Sequence, residues 1–289
     1  MSCLLCHNKD YKIVSENTRD IESLFIKKCT NCDLVYISDS SHIDDSFYQD
    51  SNMLCDDLKQ DVSKWEKINK TDTDRRIKHF SNNIINKKIL DIGCGTGSFI
   101  KEASEYSKEA SAIEVDLILN KYLNDNTENI AFYNSLELIP KNKKFDYIFL
   151  FHVLEHLKNP IDFLNNLHEF LEPNGTIIIE VPNADDALSS LYNCEEFKRF
   201  FYWSCHLFYF TANTLQKLAL KTNYKLNYIK QIQRYPLSNH LYWLRYGKPG
   251  GHSKINFLDS DIINAEYEKS LASIGKCDTL LMSISKGDI

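Results

Sequence analysis

Four cysteines near the N-terminus have the spacing of metal ligands. Cys3 and Cys6 are separated by two residues, as are Cys29 and Cys32, and 22 residues lie between the two pairs. Two thiolates at this spacing can chelate one ion from a tight turn, and two such turns complete a tetrahedral shell. Four protein ligands leave no open coordination position, so we predict a structural Zn²⁺ ion. A ligand role for His7 and a redox role for either cysteine pair are the weaker interpretations.

A glycine-rich turn is the second feature that could bind a ligand. Residues 89–99 read ILDIGCGTGSF, an apolar strand followed by glycine at the alternate positions Gly93, Gly95 and Gly97. Such glycines let the backbone turn sharply and let a ligand touch the main chain, and the helix that follows offers free N–H groups. The third glycine comes one residue early for the dinucleotide fingerprint, and the chain does not continue into the Gly-Lys-Ser/Thr of a Walker loop. We therefore predict a site for another nucleotide-like cofactor.

An acid stands at the end of each of two neighbouring predicted strands. Asp91 closes the strand before the glycine turn, and Glu114 closes the next strand 23 residues later. This combination resembles motif I and the ribose-binding acid of the class I S-adenosylmethionine-dependent methyltransferases; an ordinary strand–turn–helix of another α/β protein is the alternative. The resemblance implies S-adenosylmethionine as cofactor, with both ribose hydroxyls on Glu114. The cofactor contacts that it implies are Asp91, Gly93, Cys94, Gly95, Gly97, Glu114, Val115, Ser135, Leu136 and His152.

The apolar patterning supplies the elements that must position these residues. Helical periodicity covers 54–85, with a second helix at 72–84, and further helices are predicted from 98 onwards and at 117–123, 160–171 and 212–222. Strands are predicted at 11–14, 24–27, 34–37, 110–115, 130–133, 145–151, 176–181, 226–232 and 279–285, with a turn at 173–175. The resemblance implies a Rossmann-like, doubly wound α/β sheet whose last strand is antiparallel, here with a small N-terminal zinc ribbon. It also implies a helix that covers the cofactor, on which Arg75 and Arg76 are interpreted as a surface pair; contact of one of them with the methionine carboxylate is the alternative.

Length and composition fit an α/β core with a small extra module. The chain has 289 residues, of which 43% are hydrophobic and 26% charged, ordinary values for a globular protein. We predict a zinc ribbon over 1–42, a helical linker with cofactor-covering helices over 43–86, and a methyltransferase domain over 87–289 with a substrate-binding insertion around 233–258. The sequence has neither an apolar signal core nor a stretch near the ~20 apolar residues of a membrane span. Nine cysteines in such a chain indicate a reducing setting, so we expect a cytoplasmic protein.

Basic residues are concentrated in one segment. Residues 197–258 contain ten Lys or Arg and no Asp or Glu, whereas the whole chain carries a net charge of −6. A local excess of this size predicts a positive surface that attracts anions, and the interleaved aromatic residues favour a ligand site over a purely solvated face. We therefore predict a small, anionic, phosphate-bearing acceptor. The candidate substrate contacts are Asn183, Arg234, Tyr235, His240, Arg245, Lys248 and His252.

Two histidines are candidates for proton transfer. In an open α/β sheet the ligand crevice lies beyond the carboxyl ends of the strands, where we expect His152 and His206. Methyl transfer to a neutral hydroxyl needs a base, and histidine titrates in the right range. His206 is the first candidate and His152 the second, with a hydrogen-bonded structural role as the alternative for His206, whereas Glu155 and His156 are interpreted as capping and packing residues. An acceptor that is already anionic would need no base and would be held by Arg and Lys.

These features together predict an enzyme that methylates a small molecule. The front end resembles the zinc-binding domain of a family that includes deoxysugar C-methyltransferases, and the whole resembles zinc-ribbon methyltransferases of bacterial capsule and sugar modification. We expect O-methylation of a nucleotide-linked sugar or phosphoramidate in surface-polysaccharide biosynthesis. An RNA-modifying methyltransferase is one alternative, although an isoelectric point of about 5.9 argues against nucleic acid as the substrate. A non-catalytic partner protein that keeps the fold is the other, and the sequence indicates no oligomeric state.

Overall fold

The computed structural model describes residues 2–44, 46–49 and 62–287, and its strands form two sheets. The strands in chain order are β1 Tyr11–Ser15, β2 Ile26–Cys29, β3 Val35–Ile37, β4 Lys88–Ile92, β5 Glu109–Ile113, β6 Ile130–Tyr133, β7 Phe145–Phe151, β8 Leu171–Pro182, β9 Phe208–Tyr209, β10 Tyr224–Ile232 and β11 Thr279–Lys286. The larger sheet has seven strands in the order β10-β11-β8-β7-β4-β5-β6. Strand β11 runs antiparallel to both of its neighbours, whereas β8, β7, β4, β5 and β6 are mutually parallel. The predicted Rossmann-like sheet with an antiparallel last strand is thereby confirmed.

The helices cover both faces of this sheet and its carboxyl edge. They are α1 Val62–Ile84, α2 Ser98–Ser104, α3 Leu117–Asn126, α4 Pro160–Asn166, α5 Ala187–Ser190, α6 Glu195–Phe201, α7 Ala212–Ala219, α8 Leu237–Tyr246, α9 Gly251–Lys254 and α10 Asp261–Ser273. Helix α1 is continuous over 23 residues, so the prediction of a separate helix beginning at residue 72 is wrong. No Gly or Pro interrupts the segment before residue 72, so nothing there stops the helix. The start of the predicted helical periodicity, residues 54–61, lies outside the described residues.

Two predicted boundaries differ from the structure on the amino side of β8. Helix α4 ends at Asn166, and a 3₁₀ turn over Leu167–Phe170 replaces the last part of the predicted helix. Strand β8 then begins at Leu171, so residues 173–175, predicted as a turn, lie within the strand. The pairing with β7 shifts register across this stretch, because Phe145 pairs with Leu171 but Tyr147 pairs with Thr176. Pro173 cannot donate to a strand ladder, which accounts for an irregularity here.

An aromatic layer joins α1 and α2 to the centre of the larger sheet. The ring of Phe149 on β7 lies 5.3 Å from that of Phe80 on α1 and 5.0 Å from that of Phe99 on α2, both edge-on. Phe99 also contacts Phe151, with ring centroids 4.9 Å apart. Such edge-to-face contacts add to the stabilisation from burial of the rings. They fix α1 across the sheet, so that the amino-terminal half of this helix extends over the carboxyl ends of the strands.

The smaller sheet combines the N-terminal segment with the rest of the chain. Its strand order is β1-β2-β3-β9, and β9 is contributed by Phe208 and Tyr209, far along the sequence. The carboxylate of Asp20, in the β1–β2 loop, accepts hydrogen bonds from the backbone N–H and the hydroxyl of Ser204 at 3.0 and 2.5 Å. The front unit, residues 2–44, is therefore attached directly to the loop that precedes β9. The proposed division of the chain at residue 42 stays a prediction. Within the described residues, none of the helices combines the length and apolarity needed to cross a bilayer.

Candidate active site

A cavity of about 800 Å³ lies at the carboxyl ends of β4, β5, β7 and β8. One end, which we call the glycine-turn end, is lined by Asp91, Gly93, Gly95 and Glu114. The other end, the histidine end, is lined by His152, His156, Trp203 and His206. One face of α1 borders the same space and contributes residues at three- and four-residue spacing, namely Trp65, Asn69, Thr73 and Arg76. A single cavity therefore connects the predicted cofactor site with both predicted catalytic histidines.

The glycine turn has the backbone conformation for which its glycines were singled out. Gly93, Gly95 and Gly97 have φ of 70°, 57° and 73°, in the left-handed region that side chains rarely adopt. A Cβ on Gly93 would stand 2.6 Å from Cγ2 of Val153, and one on Gly97 would stand 2.7 Å from Cδ2 of Leu123. Gly97 does not line the cavity, so it serves the packing of α2 and α3 and not, as predicted, a ligand contact. Cys94 lines the cavity, and its predicted contact with the cofactor stays a prediction.

The two acids of the glycine-turn end, Asp91 and Glu114, are buried and line the cavity. Oε2 of Glu114 accepts a hydrogen bond from the N–H of Gly95 at 2.7 Å, and Oε1 accepts one from the N–H of Asp116 at 2.9 Å. Among the described residues no ion pair reaches Asp91 or Glu114. Burial raises the pKa of Glu114 to about 7, against the opposing hydrogen bonds from Asp116 and Gly95. Burial likewise raises the pKa of Asp91 to about 8, against the charge of Arg76.

These donors and acceptors fit the cofactor that the resemblance implies. A carboxylate oxygen accepts more than one hydrogen bond, so Glu114 can hold two ribose hydroxyls in addition to its backbone partners. An unpaired, buried carboxyl such as Asp91 favours a cationic ligand group nearby. This end is also lined by Val115, Ser135 and Leu136, whose cofactor contacts stay a prediction, and Leu119 adds to its apolar wall. The residues present therefore fit an adenosine with a positively charged amino-acid tail.

A network of buried charges forms the floor of the histidine end. Glu180, a fully buried residue on β8, accepts hydrogen bonds from Arg75 at 2.9 Å and Arg76 at 2.5 Å. Arg234 pairs with Asp72 on α1, and its Nε lies 3.0 Å from each carboxylate oxygen. The interpretation of Arg75 and Arg76 as a surface pair is therefore wrong. The sequence contained one signal of this network, because Glu180 is the single acid of the apolar run 176–181, where a charge is almost always paired.

His152 is held within this network by both of its ring nitrogens. Nδ1 lies 3.4 Å from Oε1 of Glu155, and Nε2 lies 3.3 Å from Oε1 of Glu180 and 3.1 Å from Nη1 of Arg234. Burial and Arg234 oppose the charged imidazole, but the interactions with Glu155 and Glu180 outweigh them and raise the pKa of His152. Burial would raise the pKa of Glu155, but the contact with His152 and the charges of His156 and His206 lower it to about 2. The prediction of His152 as a base is corrected, because neither nitrogen is free to take a proton from a ligand.

His206 has a different environment at the same end of the cavity. Its ring lies 4.8 Å from that of His156 and 5.4 Å from that of Trp203, and within the described residues its Nδ1 has no hydrogen-bond partner. Burial, reinforced by the charge of His156, lowers the pKa of His206 to about 3. The imidazole is therefore neutral near pH 7 and can accept a hydrogen bond. His156 is buried, with Nδ1 donating to the carbonyl of Cys205 at 2.9 Å, in agreement with a packing role.

Two groups of residues have the donor atoms of a metal site. The thiols of Cys3, Cys6, Cys29 and Cys32 lie within 4.8 Å of one another, with the Sγ atoms of Cys3 and Cys32 at 3.3 Å and those of Cys6 and Cys29 at 3.4 Å. The two predicted knuckles are thus brought together as four converging sulfurs. A second group, formed by His156, Cys205 and His206, also has one donor from each residue within 4.8 Å.

Most of the predicted substrate contacts lie outside the cavity, which corrects those assignments. Of the seven residues only Arg234 lines it. Asn183 is buried beneath β11, where its side-chain amide donates to the carbonyl of Cys277 at 2.7 Å. The ring of His240 is buried between Tyr267 and Gln233, at 2.7 and 3.2 Å. The other four, Tyr235, Arg245, Lys248 and His252, have exposed side chains outside the cavity.

The predicted contacts on α8 lie outside the cavity because of the direction in which this helix presents its side chains. His240 and Trp243, three positions apart, face inward and are buried, whereas Leu241, Leu244 and Arg245 face solvent. A run of basic residues predicts a charged surface but does not indicate which face of a helix carries it. The exposed cations of the basic segment therefore form an outer surface of the molecule.

Comparisons with known proteins place these features in a family. Residues 65–229, from α1 to β10, match a family model described as a methyltransferase domain. A ubiquinone biosynthesis O-methyltransferase of Rickettsia bellii is 29% identical over 114 residues, which cover 37% of this chain and 47% of that protein. A tRNA U34 carboxymethyltransferase of Pseudoalteromonas atlantica is 28% identical over 124 residues, covering 40% of this chain and 36% of that protein. The chain thus spans less than half the length of either curated relative.

Solved structures resemble the fold over a larger part of the chain. A chain in the complex of the Haloferax volcanii Trm112 methyltransferase activator with a methyltransferase superposes with a TM-score of 0.54 and 12% identity, covering 80% of this chain and 96% of that one. The plantazolicin methyltransferase BpumL, solved with a substrate analogue and SAH, superposes with a TM-score of 0.51 and 17% identity, covering 84% and 93%. At these identities the likeness shows a shared fold.

Proposed function

Because the chain belongs to the methyltransferase-domain family and is an S-adenosylmethionine-dependent methyltransferase, we propose that it methylates an oxygen of a small acceptor held at the histidine end of the cavity. The observation that carries this proposal is the continuity of the cavity, which joins the glycine turn and Glu114 to His206 and Trp203. A cofactor and an acceptor bound in one cavity can meet in line, as displacement at a methyl group requires.

The chemistry divides between the cofactor and the protein. When bound, the cofactor would supply a methyl group on a positively charged sulfur for transfer to the acceptor oxygen, with the sulfur leaving as a neutral thioether. The neutral imidazole of His206 would accept a hydrogen bond from the acceptor hydroxyl, orient its oxygen and, as a weak base, take its proton as the methyl group is transferred. His152, held by Glu155 and Glu180, is a positioning residue that fixes the floor of the site.

The choice of acceptor rests on the shape of the site and on the relatives. The O-methyltransferases among the relatives support an oxygen acceptor, whereas neither relative's name supports the surface-polysaccharide pathway expected from the sequence. An RNA acceptor is the second candidate, favoured by the tRNA-modifying relatives and by the exposed cations of the basic segment. Labelled S-adenosylmethionine offered with hydroxylated aromatic acids, nucleotide-linked sugars and transfer RNA distinguishes them. Label in a small-molecule product supports the proposal, whereas label found only in RNA overturns it.

Replacement of His206 tests the assigned proton acceptor. We expect His206→Ala to reduce turnover by about 10- to 10²-fold, less than the ~10²- to 10⁴-fold usual for general base catalysis, because a group of low pKa is a weak base. Binding of S-adenosylhomocysteine, measured by calorimetry, should change less than threefold. Because the pKa of His206 is lowered to about 3, its ionisation should give the wild-type pH–rate profile no inflection near 6.5. The exposed His252 is the matched control, and its replacement by Ala should leave turnover unchanged.

Unchanged turnover in His206→Ala would remove this histidine from the mechanism. Retention of activity in His206→Asn, which keeps a hydrogen-bonding group but cannot take a proton at neutral pH, would reduce its role to orientation of the acceptor.

We further propose that the four converging thiols of the front unit hold one structural Zn²⁺ ion. The short strands β1 to β3 enclose little apolar volume, so metal binding would supply much of their folding energy. The purified protein should contain one zinc per chain, and Cys32→Ser should reduce this stoichiometry. Cys194→Ser, at a buried thiol outside the cluster, is the matched control and should keep the metal.

Removal of the metal should affect the two ends of the cavity differently. The front unit contacts the loop before β9, at the histidine end, whereas the glycine turn lies within the larger sheet. We therefore expect chelation to lower turnover at least tenfold and to leave the affinity for S-adenosylhomocysteine within about threefold. A metal-free protein with wild-type turnover and melting temperature would refute a structural ion.

A further inference from the structure

The front unit contributes one charged side chain to the cavity. Arg19, in the loop between β1 and β2, lines the histidine end together with Trp203 and His206. Its backbone N–H donates to the carbonyl of Tyr202 at 2.7 Å. The neighbouring Asp20 binds both the N–H and the hydroxyl of Ser204. These contacts fix the loop on both sides of the arginine, which is itself exposed to solvent at the mouth of the cavity.

The guanidinium of Arg19 is oriented by aromatic rings. Its Cζ lies 3.9 Å from the ring centroid of Trp203 and 5.0 Å from that of Phe200. Such cation–π contacts use the flat face of the guanidinium. The five N–H groups lie in the plane of the group, so they stay available to donate to a planar anion such as a carboxylate, or to a phosphate.

Arg19 differs from the other arginines that line the cavity. Arg76 is paired with Glu180, and Arg234 is paired with Asp72. Among the described residues, by contrast, no carboxylate lies within ion-pair distance of Arg19, and none of its side-chain N–H groups has a hydrogen-bond acceptor. A guanidinium that lines a ligand cavity with no carboxylate bound to it, among the described residues, favours an anionic ligand.

We propose that Arg19, stacked on Trp203, is the binding subsite for a carboxylate or phosphate group of the acceptor. This inference rests on the proposed function, because it assigns the acceptor to the histidine end. It gives the front unit a direct part in substrate selection, and it makes Arg19 a specificity-determining residue. The anion is held at the mouth of the cavity, which leaves the rest of the acceptor to extend inward past His206 toward the glycine turn.

Three aryl probes of similar size test the subsite directly. Benzoate, phenyl phosphate and the neutral benzamide are titrated into the zinc-loaded protein saturated with S-adenosylhomocysteine, and binding is followed by calorimetry. We expect at least one of the two anions to bind tenfold or more tightly than benzamide, and the preferred anion identifies the acceptor group as a carboxylate or a phosphate. In Arg19→Gln this preference should fall below twofold. Arg19→Lys, which keeps a charge but not the planar donors, should restore only part of it.

Controls separate this inference from the proposed function. Arg245→Gln removes an exposed arginine outside the cavity and should keep the preference for the anion. Zinc content and S-adenosylhomocysteine affinity should be unchanged in every variant. Three results would each overturn the subsite. The wild type could bind the anions and benzamide equally, or show no saturable binding of either anion at millimolar concentration. The preference for the anion could also persist in Arg19→Gln. Failure of the wild type to bind S-adenosylhomocysteine would instead contradict the proposed methyl transfer.

Discussion

Glu114→Gln should weaken the binding of S-adenosylhomocysteine by roughly 100-fold or more, since hydrogen bonds to a charged group contribute about 1.5–3 kcal/mol each. Each carboxylate oxygen already accepts a hydrogen bond from a backbone N–H, of Gly95 or of Asp116. A glutamine amide offers one oxygen and one NH₂ group, so in either orientation a donor faces a donor. The substitution thus removes acceptors for the ribose and also loosens the glycine turn that must face the cofactor.

Calorimetry with the same ligand measures this effect, and Glu128→Gln, at an exposed acid outside the cavity, is the matched control. Zinc content and secondary structure should match those of the wild type in both variants. The raised pKa of Glu114, about 7, adds a pH dependence, because the protonated acid can accept fewer hydrogen bonds. Wild-type affinity should therefore fall as the pH is lowered below 7, by up to about tenfold per unit. An affinity of Glu114→Gln within threefold of the wild type would show that this acid does not hold the ribose.

The glycine turn and its acid could be predicted because they depend on local sequence. Glycine at three alternate positions indicates left-handed backbone, which side chains rarely adopt, and all three residues have this conformation. Glu114 follows directly on a buried strand, and parallel strands bring their carboxyl ends to one edge of the sheet. The strands themselves were recognisable because buried parallel strands are runs of apolar residues. For β6 and β7 the predicted limits coincide with the observed ones.

The charge network at the histidine end could not be predicted in the same way. Glu180 is 104 residues from Arg76, and Asp72 is 162 residues from Arg234. Such pairs exist because α1 lies across the carboxyl edge of β8, a tertiary arrangement that no local pattern records. For the same reason, the sequence does not show which charged side chain lacks an oppositely charged partner in the folded protein. Arg19 stands in a short polar loop of the front unit, where the sequence offers no indication that its loop reaches the cavity.

Removal of the Glu180 carboxylate should have the largest effect on stability. Glu180→Gln keeps the volume of the side chain but leaves Arg75, Arg76 and His152 without the anion that they share. Loss of one partner of a buried ion pair typically costs about 3–5 kcal/mol, since the remaining charges stay desolvated. We expect a loss of this size in the free energy of unfolding, measured by urea titration at pH 7.

A second acid of the same strand provides the control. Glu172 on β8 pairs with Lys88 at 3.1 Å, and each side chain is about a third exposed, at 32% and 34%. Pairs near solvent contribute about 0–1 kcal/mol, so Glu172→Gln should have a small effect. Comparable losses in the two variants would mean that the Glu180 network is as well hydrated as a surface pair.

The difference in unfolding free energy between the wild type and Glu180→Gln should depend on pH, and this dependence identifies an electrostatic origin of the stability loss. Burial alone would raise the pKa of Glu180, but the charges of Arg76, Arg75 and His152 lower it well below its usual range. A carboxylate with a depressed pKa stabilises the fold above its unfolded pKa, near 4.5, and this contribution is lost as the pH falls through the folded pKa. The difference in unfolding free energy should therefore be constant between pH 5 and 6 and shrink below pH 4.

The stabilising contribution of His152 changes with pH in the opposite sense, because its raised pKa stabilises the fold at low pH and the contribution fades as the pH rises. Since the substitution removes one of the two carboxylates at His152, the pKa of this imidazole, followed by NMR, should fall in Glu180→Gln. An unchanged imidazole pKa would show that Glu155 alone holds the charge of His152, and the network would then divide into two independent pairs.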